Sequence, residues 1–119
     1  MAALAELIAD RRSGSGLVLA AIAQAEVLAL GAFDAGNGVV ARGISRVLLI
    51  ARGVDPKAVS APDVGHWELR TEYESALTAY AAGDPVPWIV HCAEAIRLGA
   101  VESIAVCEAT LRAGEAGSP

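Results

Sequence analysis

The stretch WIVHCAEAIRLGAVESIAVCEATL, residues 88–111, decides the fold. Its apolar positions Ile89, Ala93, Ile96, Ala100, Ile104, Cys107 and Leu111 are spaced 4, 3, 4, 4, 3 and 4 residues apart. That is the period of an α-helix, not the alternation of a strand. The helix is expected to open at Asp84 or Pro87, within the turn Asp84-Pro85-Val86-Pro87, and to close at Gly114. Residues 115–119 read as a frayed, disordered tail.

The rest of the chain repeats the helical pattern. Leu17 to Leu30 is apolar nearly all round, so it belongs at the centre. Ser15 is placed to cap it. Within it, Glu26 is expected to be a partly buried carboxylate that reaches a helix end or solvent. A third helix runs from about Val39 to Arg52, with Gly53 as its stop and Pro56 beyond. Its expected core stripe is Val40, Ile44, Val47 and Ile50 or Ala51. The fourth opens at Asp63 or Gly65 and ends near Gly83, with Leu69, Tyr73, Ala76 or Leu77, and Tyr80 inward. Before all of these, Met1 to Arg12 carries Leu4, Leu7 and Ile8 on one helical face. The expectation is an all-α protein: about five helices in one compact domain over residues 1–114.

Composition agrees. Alanine fills 26 of 119 positions, and aromatic residues make up only 4%. Alanine favours helix, and few aromatic or clustered β-branched residues weigh against an all-β fold. The formal charge is −5, with nine scattered basic residues. A phosphate backbone needs clustered Lys and Arg, so no nucleic-acid partner is expected. Leu17 to Phe33 is too short and too polar, at Gln24 and Glu26, to cross a bilayer. The first residues lack the pattern of a signal peptide. A cytoplasmic protein is expected. Cys92 and Cys107 lie 15 residues apart on one helix, about 22 Å, so they cannot pair there. Both read as small buried groups. His66 and His91 read as structural.

One segment carries chemistry: FDAGNGVVAR, residues 33–42. A Gly36-Asn37-Gly38 turn runs into a helix start, whose free N–H groups and dipole favour an anion. Arg42, one turn inside, reaches toward the same place. Taken alone, the turn reads first as a plain helix–helix connection, in which the glycines supply positive φ.

The segment resembles the Fic family signature H-x-F-x-(D/E)-G-N-G-R-x-x-R. Phe33, Gly36, Asn37, Gly38 and Arg42 match it. Gly31 stands where the family has its catalytic histidine. Ala35 replaces the magnesium-binding acid, and Val39 the first phosphate-binding arginine. Arg46 to Pro56, Val64 to His66 and Trp88 to Cys107 also look like small Fic-like proteins. The resemblance implies a helical Fic-like fold and a loop that holds nucleotide phosphates, with Phe33 as its anchor. In active members that loop transfers AMP from ATP to a protein hydroxyl. Here it implies a degenerate site with no catalytic residue and no metal ligand. Its implied ligand is ATP or another nucleotide, with magnesium held weakly if at all. No Ser or Thr has a Glu four residues on, so the family's inhibitory (S/T)-x-x-x-E-(G/N) pattern is missing too. The short upstream segment implies a minimal or truncated Fic core. The surplus of apolar residues, 55% of the chain, admits a protein partner or a homodimer.

Overall fold

In a computed structural model, the described residues are 15–31 and 36–117. The expected helix at Met1 to Arg12 and the residues Phe33, Asp34 and Ala35 lie outside them. The described residues form five helices: α1 (Gly16–Leu30), α2 (Asn37–Ala51), α3 (Pro62–Glu68), α4 (Arg70–Ala81) and α5 (Val86–Ala116). No strand is found among them. The all-α reading holds.

α1 is the central element. Ser15 caps it, its side chain accepting from the Val18 N–H at 3.5 Å. Gly31 closes it in the left-handed conformation, φ 54°, donating to the Val27 carbonyl. That conformation strains any residue with a Cβ. Leu19, Ala20, Ala21, Ala23, Gln24, Ala25 and Val27 are all buried. One side packs on α2, where Leu19, Ala20 and Ala23 meet Leu48 and Leu49. The other side packs on α4 and α5, where Ala21 and Ala25 meet Ala76, Trp88 and Cys92. Trp88 is fully buried and donates its indole N–H to the Ala21 carbonyl at 2.7 Å. Glu26 is half-buried, as expected, and accepts from the Tyr80 hydroxyl at 2.5 Å.

Five expectations need correction. The α2 stripe is rotated: the buried residues are Ala41, Ser45, Leu48 and Leu49, Ile44 of the expected set packs half-buried beside them, and Val47 is 62% exposed. Small side chains at Ala41 and Ser45 let the two backbones approach, which the wider Val40–Val47 face would prevent. The fourth expected helix is two. Leu69, at φ −97° and ψ 23°, ends α3 and turns the chain into α4. The break lets α3 lie across α5 while Tyr73, Ala76, Leu77 and Tyr80 of α4 reach the Trp88 cluster. The buried face of α5 is Trp88, His91, Cys92, Ala95 and Gly99; of the expected stripe, Ile89 and Ile96 pack half-buried on the core, whereas Ile104 and Leu111 are exposed. α5 also continues past Gly114 to Ala116. Beyond Ala100 nearly all of its described residues are exposed, including Cys107, which was expected to be buried.

The crossing of α3 and α5 is very close. A methyl group on Gly65 would overlap the Ala95 backbone, and one on Gly99 would overlap the Ala61 carbonyl. The loop between α2 and α3 is tied down locally. Asp55 accepts from the N–H groups of Val59 and Ser60, both at 2.9 Å. The Ser60 hydroxyl donates to the Ile96 carbonyl. This fixes α3 against both α2 and α5.

Candidate functional site

Gly36 takes the N-cap position of α2 with φ 76°, and Asn37 and Gly38 form its first turn. Arg42 follows one turn later. Its guanidinium curls back over Gly38, with Nη1 only 3.0 Å from where a Gly38 side chain would begin. The glycine therefore gives the guanidinium room at the helix start. Arg42 Nε also sits 3.7 Å from Asp63 Oδ1, an open ion pair with both groups well exposed.

Arg42 is the hinge of two adjoining clefts. The first, about 240 Å³, is lined by Gln24 of α1, Val39, Arg42, Gly43, Ser45 and Arg46 of α2, and Pro62, Asp63 and His66 of α3. Arg42 and Arg46 lie one helical turn apart on its wall. Arg46 also donates to the Ala58 carbonyl at 3.3 Å, which steadies it. Gly43 faces open space. The second cleft, about 310 Å³, is lined by Arg42, Asp63, His66, Trp67, Arg70 and Tyr73. Among the described residues, the first wall begins at Val39. Gly36, Asn37 and Gly38 stand beside it and bear on it through Arg42.

His66 was expected to be structural. The structure puts it in both clefts, beside Arg42. Its ring stacks on His91 and Trp88 at centroid distances of 5.0 and 6.2 Å, and Tyr73 meets it edge-on at 5.5 Å. The buried Gln24 amide donates to His66 Nε2 at 3.5 Å. That leaves the His66 proton on Nδ1, donated to His91 Nε2 at 2.9 Å. Burial, then His91, pushes the His66 pKa down to about 4, while Asp63 opposes the shift. His91 is lowered by burial as well. Both rings are neutral near pH 7.

The chemistry follows from these contacts. With both ring nitrogens engaged inside the protein, His66 is poorly placed to take a proton from a substrate. Gly31 serves as the left-handed cap of α1. Cys92 is buried and its thiol is pushed up to about 12 by desolvation, so it supplies no nucleophile. What the clefts do offer is a set of donors: the guanidinium groups of Arg42, Arg46 and Arg70, the Ser45 hydroxyl and the Gln24 amide.

A magnesium ion fits poorly. Asp63 is the one carboxylate among the described lining residues of either cleft, and it is paired with Arg42. Among the described residues, no group of three or more His, Cys, Asp or Glu side chains gathers as metal ligands would. No described helix is long and apolar enough to cross a membrane. In comparisons with known proteins, no family model, no curated protein and no solved structure matches the chain.

Proposed function

We propose that the protein is a degenerate Fic-like module that binds a nucleotide through its phosphates and does not transfer AMP. The observation that carries this reading is Arg42. It lies over Gly38 at the start of α2 and shares a cleft wall with Arg46. Two guanidinium groups beside a helix N-terminus are a chemically apt receptor for a polyphosphate. The partial signature at Phe33, Gly36, Asn37, Gly38 and Arg42 supports it from the sequence side. The engaged nitrogens of His66 and the absence of a histidine at Gly31 argue against the transferase alternative. The reading suits a cytoplasmic protein, where ATP is abundant.

Calorimetric titration tests it. ATP should bind with or without magnesium. Arg42→Ala should weaken binding about tenfold or more, as expected for loss of a charge-assisted contact. Equal binding by both proteins would count against the reading. Asp63 gives a second check. Its carboxylate repels phosphate, so Asp63→Asn should tighten inorganic triphosphate binding about threefold in low salt. Weaker triphosphate binding by that variant would show that Asp63 organises Arg42 rather than opposing the anion.

A self-associating helical protein is the second reading. It rests on the outer half of α5, where Val101, Ile104 and Leu111 are each more than half exposed. Light scattering at high concentration decides it, since a monomer there ends that reading.

A further inference from the structure

We propose that Trp67 is a stacking platform for a purine base. The proposal rests on the phosphate-site reading and extends it to the other end of the ligand. Trp67 is 68% exposed, while Trp88 is fully buried and serves the core. Its indole lies largely in water on the wall of a cleft. The ring is also braced from one side. The Arg70 guanidinium lies 4.6 Å from the ring centroid and donates to the Trp67 carbonyl at 3.0 Å. A ring braced by a cation on one face has less freedom to lose when a flat ligand stacks on the other.

The position matters as much as the ring. The cleft that contains Trp67 shares Arg42, Asp63 and His66 with the cleft that contains Arg46. One ligand can therefore reach both. Phosphates at Arg42 and Arg46 would set the base against Trp67. Asp63 lines both clefts, and ribose hydroxyls can donate to it. That gives a role to a carboxylate that is otherwise adverse in an anion site. The chemical class is a purine nucleoside polyphosphate. Purines offer the largest π-face for stacking, which depends on surface rather than on hydrogen-bond readout.

The test compares ATP with inorganic triphosphate, using wild type, Trp67→Ala and Trp67→Phe. ATP should bind wild type about tenfold tighter than triphosphate, the range expected of one stacked base. It should also quench the tryptophan emission. Trp67→Ala should bring ATP down to the affinity of triphosphate and leave triphosphate unchanged. Trp67→Phe should recover part of the loss. The side chain is exposed, so both variants should fold, and circular dichroism verifies that. If Trp67→Ala binds ATP as wild type does, the platform is refuted and the phosphate site stands. If wild type binds ATP no tighter than triphosphate, the platform is likewise refuted. If wild type binds neither ligand, both readings fall together.

Discussion

Gly65→Ala should destabilise the protein by about 3 kcal/mol, near the upper end of what overpacking costs. The reason is the partner. The added methyl would overlap the Cα and carbonyl of Ala95, which are backbone atoms inside α5. A flexible side chain could move aside; a helix backbone can do so only if α3 lifts away. Lifting α3 separates His66 from His91 and opens both clefts, so ligand binding should fall with stability. In a domain of this size the melting point should drop on the order of 12 °C or more. Gly43→Ala is the control. Gly43 is also helical, but a Cβ there meets open space. That change should be neutral or stabilise by up to about 1 kcal/mol, the ordinary helix preference for alanine over glycine. Thermal melts of the two variants check the contrast. Equal melting points would mean that α3 does not cross α5 as closely as described.

The second large effect is acid sensitivity. His66 titrates near 6.5 when unfolded and at about 4 in the fold. Between those values the unfolded chain holds the extra proton. Stability is therefore complete above pH 6.5 and is lost as the pH falls toward 4. By pH 4.5 the loss should be about 2 kcal/mol from His66. The lowered pKa of His91 acts in the same direction. Urea unfolding at pH 7.5 and pH 4.5 measures the difference. His66→Gln, which cannot titrate, should flatten most of it. An unchanged slope in that variant would assign the acid sensitivity to other groups.

Much of the fold was legible because its signals are local. The all-round apolar run of α1, the Ser15 cap and the stops at Gly31 and Gly53 are written in adjacent residues. The inward set of α4, Tyr73, Ala76, Leu77 and Tyr80, follows from its spacing. The faces of α2 and α5 were not legible in the same way. Periodicity picks out the bulkiest stripe, but this core is built from close backbone approach. Ala41, Ser45, Ala95 and Gly99 are buried while Val47, Ile104 and Leu111 are not. The break at Leu69 has no proline or glycine to announce it. It arises because α3 and α4 have different partners. Gly65 reads as a helix opening, whereas its use is to admit Ala95.

The site divides along the same line. Arg42 was legible because its place is set by four residues of local helix from Gly38. His66 was not, since its place depends on contacts with Gln24 and His91, 42 and 25 residues away. Arg46 shares a helical face with Arg42 by local spacing alone, four residues apart. Trp67 becomes notable only when α2 and α3 are brought side by side. Phe33 lies outside the described residues, so its part as a loop anchor remains a reading of the sequence.

The central claim is that phosphate enters the cleft between α2 and α3. Amide chemical-shift mapping during an ATP titration tests it most directly, because it reports position as well as affinity. The account predicts saturable shifts concentrated at Gly38 to Arg46 and Asp63 to Trp67, and their loss in Arg42→Ala. Shifts that saturate elsewhere, or no shifts at millimolar ATP, would contradict it.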